Sequence, residues 1–116
     1  MISLKRIYEK PVPEDGYRIL VDRLWPRGLS KNEASIDLWL KEIAPDNELR
    51  KWFAHDPDKW DNFKRKYKAA LETKTKILEE LARIITEHET VTLLYAAKDE
   101  AHNNAVVLKE FLEERQ

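Results

Sequence analysis

The chain contains no cysteine and only two glycines among its 116 residues. Without thiols there are no disulfides, thiolate nucleophiles or cysteine-ligated metals, and the composition fits a reducing, cytoplasmic setting. Two glycines are too few for a dinucleotide-binding G-x-G-x-x-G turn, and neither a Walker-type glycine loop nor a G-x-S-x-G nucleophile turn occurs. Charge of one sign is not in excess: 21 Lys and Arg stand against 22 Asp and Glu, a formal net charge of -1. No global field draws the protein to nucleic acid or to an anionic membrane, so any anion binding must be local. No run approaches the roughly 20 apolar residues of a membrane span, and the amino terminus lacks a signal-peptide pattern. The histidines His55, His88 and His102 have no H-x-H or H-x-x-x-H spacing, so neither a metal nor a cofactor is expected.

What is present suits one domain spanning residues 1–116, with 42% hydrophobic residues for a core and 37% charged residues for a heavily solvated surface. Ile2 to Tyr8 alternates well enough for an edge strand and ends at the turn-rich Glu9 to Gly16. Tyr17 to Leu24 carries the run Ile19-Leu20-Val21 and reads as a more interior strand, stopping before Pro26. The apolar residues between Lys31 and Pro45 keep no single period; a short helix is expected near Ile36 to Ile43. Asp46 can cap a helix that places Leu49, Trp52 and Phe53 on one face. Asp56 or Asp58 can cap the next, with the stripe Trp60, Phe63, Tyr67 and Leu71. Leu78, Leu81, Ile84 and Ile85 form another stripe, and His88 beyond it reads as a solvated residue among acids. Thr90 to Ala97 suits a strand covered on both faces, and His102 to Glu114 a final helix. The predicted fold is α/β: a small, at least partly parallel sheet of three or four strands flanked by about four to five helices. In such sheets ligands sit beyond the carboxyl ends of the strands, where two loops arrive here, Arg23 to Ser30 and Lys98 to Asn104.

The first loop groups Arg23, Trp25, Arg27 and Lys31 around Pro26 and Gly28. Guanidinium forks can grip an oxyanion there, with Pro26 fixing the turn and Gly28 freeing the backbone for close approach. The bland reading has the arginines bonded to Asp22, Asp37 or carbonyls, with Trp25 packed as a lid. In the second loop, Lys98 adds charge, Asn103 a polar contact and His102 an acid or base titrating near neutral pH. Set against this, Asp99 can simply cap the last helix. His55, followed by Asp56, is a second candidate acid or base, or an ordinary helix-end histidine. If the loops converge, they define a pocket for a small phosphate- or carboxylate-bearing ligand, with His102 or His55 available for proton transfer. The other reading is a non-catalytic module that binds nucleic acid or protein through Trp25, the one tryptophan not claimed by a core stripe, and the adjacent arginines.

The segments Val21-Asp22-Arg23-Leu24-Trp25-Pro26-Arg27-Gly28, Leu49-Arg50-Lys51-Trp52-Phe53 with His55-Asp56-Pro57, and Leu93-Leu94-Tyr95-Ala96-Ala97-Lys98-Asp99 with Asn104-Ala105-Val106-Val107-Leu108 resemble the DUF488 family, in particular its YeaO-like branch. The resemblance spans nearly the whole chain and implies a single α/β domain in a family of unestablished function. Longer relatives carry a cysteine-histidine-arginine pattern after the equivalent last strand. His102-Asn103-Asn104 stands there in this chain, so no thiol chemistry carries over.

Overall fold

The computed structural model describes residues 1–115. Four strands form one fully parallel sheet: β1 (Ile2–Arg6), β2 (Tyr17–Leu20), β3 (Leu38–Trp39) and β4 (Val91–Tyr95), in the order β1-β4-β2-β3. Five helices accompany them: α1 (Lys31–Ala34), α2 (Asn47–Phe53), α3 (Trp60–Leu71), α4 (Thr75–Glu87) and α5 (Asn104–Glu114). None of the described helices is long and apolar enough to cross a membrane. β4 lies between β1 and β2, and all five of its residues are buried, which is why its sequence is almost continuously apolar.

The larger core fills one face of the sheet, where Ile19, Val21, Val91, Leu93 and Tyr95 meet Phe53, Phe63, Tyr67 and Leu71 of α2 and α3 and the apolar sides of α4 and α5. On the opposite face a smaller cluster joins Ile7, Leu20, Ala34 and Leu94, with Trp25 and Trp39 packed against it. That face also carries a buried polar knot. Arg18 is 4% exposed and Asp15 7% exposed. The Arg18 guanidinium donates to Asp15 and to the carbonyls of Ser35 and Ala34, while Asp15 accepts from Lys5 and from the Val12 N–H. The Thr92 hydroxyl of β4 donates to the Asp15 carbonyl at 2.6 Å. The knot ties β1, β2, β4 and the end of α1 together.

The expected helix at Ile36 to Ile43 does not form. Leu38–Trp39 is instead the edge strand β3, paired with Ile19 and Leu20, and Lys41–Ile43 is a single 3-10 turn. The segment lacked a 3.6-residue period because its apolar side chains are shared between two layers, Leu38 and Leu40 facing the larger core and Ile36 and Trp39 the smaller. Asp46 caps α2 as expected, accepting from Leu49 N–H at 2.8 Å. Asp56 caps the 3-10 turn Pro57–Lys59 that leads into α3, and Asn103, not Asp99 or His102, caps α5. His88 is half-buried rather than free in solvent: its ring packs on Tyr17 with centroids 4.3 Å apart, and its Nδ1 lies 2.9 Å from the Ile84 carbonyl oxygen.

Candidate functional site

A cleft of about 740 Å³ opens beyond the carboxyl ends of β2 and β4. Its walls come from the loop after β2, the loop after β4, the start of α5 and the turn that ends α2. Both loops singled out in the sequence therefore meet here. Arg23, Trp25, Arg27, Lys98 and Asn103 all line the cleft, and so does His55. His102 does not: its Nδ1 lies 3.0 Å from Asp99 Oδ2, and its ring stands edge-on to Trp60 at 5.1 Å, on the α3 side.

The lining residues are held in different ways. Arg23 turns inward, its Nε donating to the Pro45 carbonyl at 3.1 Å and its Nη2 to that of Ala44 at 3.2 Å. Lys74, the residue that precedes α4, donates to the same Ala44 carbonyl at 3.0 Å and to that of Glu42. Burial, and then the nearby Arg23 charge, lower the Lys74 pKa. Trp25 donates its indole N–H to the Leu29 carbonyl at 2.7 Å and packs edge-on against Trp39 at 5.4 Å. Asn103 spends both ends of its amide on its own loop, accepting from Val106 N–H and donating to the Asp99 carbonyl. The Arg27 loop is tethered by its backbone, through Tyr8 Oη to the Arg27 carbonyl at 2.8 Å, which leaves the Arg27 guanidinium exposed. Gly28 holds φ +77, and a Cβ there would meet nothing within 4 Å, so its contribution is the left-handed turn.

Arg50 and Asp22 are among the lining residues that the sequence did not single out. Arg50, on the exposed side of α2, lines the cleft, its Nη2 donating to Asn47 Oδ1 at 3.3 Å. Asp22, directly after β2, is largely buried. Its Oδ2 accepts the Ala96 N–H at 2.9 Å, which joins the ends of β2 and β4, and the Asn104 amide stands beside it while donating to the Val21 carbonyl at 3.0 Å. Burial raises the Asp22 pKa, against the opposing pull of the Ala96 and Asn104 hydrogen bonds and the His55 charge. Asp22 forms no ion pair among the described residues. Beneath it Tyr67 is fully buried and donates to the Ile43 carbonyl at 2.6 Å. Burial foremost, and the Asp22 charge next, push that phenol far above its usual range. The signal for Asp22 was its place, a carboxylate at the carboxyl end of an interior strand.

His55 reaches the cleft through an unusual turn. Ala54 (φ 45) and His55 (φ 56) are consecutive non-glycine residues in the left-handed region, closing α2 and reversing the chain before Pro57. Each such residue costs on the order of 1 kcal/mol, and strain of this kind gathers at functional sites.

An Asp whose folded pKa lies above its unfolded value weakens the fold as pH rises through that interval. Asn in place of Asp22 can still accept the Ala96 N–H and carries no charge. Asp22→Asn should therefore raise stability by about 1 kcal/mol at neutral pH, with the gain vanishing below the ordinary carboxylate range. Urea melts at pH 7 and pH 3 check this; equal stability of the two proteins at pH 7 would contradict it.

The fold and cleft define a parallel α/β protein with a recess at the strand ends. The chain belongs to the DUF488 family: the model of the "Inactive DUF488-N3 subclade" matches residues 1–116. It is 43% identical over 111 residues to the uncharacterized protein YeaO of Escherichia coli (strain K12), covering 96% of each chain. It is 36% identical over 114 residues to the uncharacterized protein Rv3073c of Mycobacterium tuberculosis (strain ATCC 25618 / H37Rv), covering 98% of this chain and 95% of that one. No solved structure matches.

Proposed function

We propose that the cleft binds a small anionic ligand, phosphate- or carboxylate-bearing, and that Arg27, Arg50 and Lys98 receive its charge. One observation carries this reading: these three cations and Arg23 line one cleft, and none forms an ion pair with a carboxylate among the described residues. In a protein of net charge -1 such a concentration of unmatched positive charge is local, and a partly desolvated recess strengthens its pull on an anion. Arg23 acts mainly as a brace, since two of its nitrogens already serve carbonyls. The subclade's description as inactive favours binding without turnover. Should a proton be moved on a bound ligand, His55 is the histidine positioned for it, whereas His102 is engaged with Asp99.

The nucleic-acid or protein-binding alternative draws less support, because the Trp25 indole is committed to Leu29 and Trp39. Titration with inorganic phosphate, followed by amide shifts at residues 23–28 and 97–104, tests the anion reading. Arg50→Ala combined with Lys98→Ala should weaken binding by about 30-fold, roughly 2 kcal/mol for two charge-assisted contacts at a half-open site. No shifts at millimolar phosphate, or an undiminished response in the double variant, would end it. Oligonucleotide binding at low salt, lost on Trp25→Ala, would move the assignment to the alternative.

A further inference from the structure

Inorganic phosphate occupies only a minor part of a recess of about 740 Å³, and the remaining space has its own chemistry. The charged residues Arg27, Arg50 and Lys98 are all exposed, at the mouth. Deeper in, the wall is apolar: Phe53 and Phe63 are 5% and 2% exposed and stack with centroids 4.2 Å apart. Pro26 and Pro45 are buried in the same lining. Of the two carboxyls that line the recess, Asp99 is engaged by its own loop and His102, while Asp22 is fixed by Ala96 and has no ion-pair partner among the described residues. Its Oδ2 takes the Ala96 N–H, and a carboxylate has acceptor capacity for further donors. Arg23 does not take it up, being directed to the Ala44 and Pro45 carbonyls.

Building on the anion reading of this cleft, we infer that its ligand is two-headed. It is a phosphate monoester whose phosphate meets the cations at the mouth and whose flat ring lies along the apolar wall, presenting N–H donors to Asp22. The separation of cationic mouth and acidic floor favours a molecule with an acceptor-rich end and a donor-bearing end over an anion alone. A ring with adjacent N–H groups, as in guanine, matches a carboxylate's two acceptor oxygens. Phenyl phosphate has the same charge and a ring without donors, and comparing the two in the unaltered protein and in Asp22→Asn isolates the floor contact.

The experiment measures binding of guanosine 5′-monophosphate, phenyl phosphate and inorganic phosphate by calorimetry and amide shifts on the full chain. The guanine compound should bind at least about tenfold more tightly than phenyl phosphate, the discrimination expected of a buried hydrogen bond to a charged group. It alone should move the Ala96 amide, whose N–H reports on Asp22 Oδ2. In Asp22→Asn the preference should collapse to within about twofold, while phenyl phosphate keeps its affinity. Equal affinities in the unaltered protein, or a preference that survives Asp22→Asn, would overturn the donor-binding floor while leaving the anion reading intact. Failure of all three compounds to bind would overturn both. The Ala96 readout needs no variant, so it decides the matter even if Asp22→Asn folds poorly.

Discussion

Asp15→Ala should lose about 3–5 kcal/mol of stability, the largest effect expected of any single substitution in this protein. Asp15 is almost fully buried, and it is the carboxylate to which both Lys5 and the equally buried Arg18 are paired. Removing it strands a guanidinium between the sheet and α1, with only the Ser35 and Ala34 carbonyls left to it. It also orphans the Val12 N–H. The damage depends on pH in a definite direction. Burial alone would raise the Asp15 pKa, but hydrogen bonds from Val12, Lys5 and Arg18 hold it below its ordinary value. The folded state thus releases this proton more readily than the unfolded chain. Its stabilisation is fully present above about pH 4, the unfolded value, and is lost as pH falls through the lowered folded one. Denaturant melts of Asp15→Ala and the unaltered protein should differ widely at pH 7 and converge towards pH 2. A constant difference across that range would show that packing, rather than charge, carries the effect.

Gly16→Ala comes next, with an expected loss of about 3 kcal/mol from strain and overlap together. Gly16 sits at φ +64, and a Cβ on it would lie 2.2 Å from the Thr90 carbonyl oxygen and 2.9 Å from its carbon. That oxygen accepts the Tyr17 N–H at 2.9 Å, the bond that opens the pairing of β2 with β4. The neighbour is backbone immediately before the central strand β4 and has little room to yield. Gly28→Ala is the natural control: its φ is also positive, at +77, but a Cβ there is unobstructed, so only the conformational cost of about 1 kcal/mol remains. Thermal melts of the two variants should separate by several degrees. Equal melting temperatures would mean that β2 and β4 can part at Thr90 without penalty.

These two positions also show what could be read from the chain. Asp15-Gly16 was legible as a turn, since the pair is a local signal; that Asp15 would be buried with Arg18, three positions on, was not, because Lys5, Ala34 and Thr92 close around the pair only in the folded sheet. The stripes of α3 and α4 and the apolar run of β4 were legible for the same local reason, each burying one regular pattern. β3 escaped because two residues carry no period and hydrogen bonding to β2 alone makes them a strand. The convergence of the Arg23 and Lys98 loops followed from parallel strands ending on one side. The choice between histidines did not. His55 enters the cleft through two left-handed residues that nothing in Ala-His announces, and His102 is drawn off by Asp99, three positions earlier. Arg50 was hidden on the polar side of a helix read for its apolar face, and Asp22 in a motif whose cations drew the attention.

The Ala44 carbonyl, gripped at once by Arg23 and Lys74, joins the rim of the cleft to the start of α4. With the Tyr8 clasp on the opposite rim, neither wall has slack to close over a guest. Occupancy should accordingly be rapid and reversible, with little induced movement and little ordering entropy lost. A ligand would then raise the melting temperature by mass action alone, in step with its concentration, and hydrogen exchange in the helices distant from the cleft would slow only as far as global stability rises.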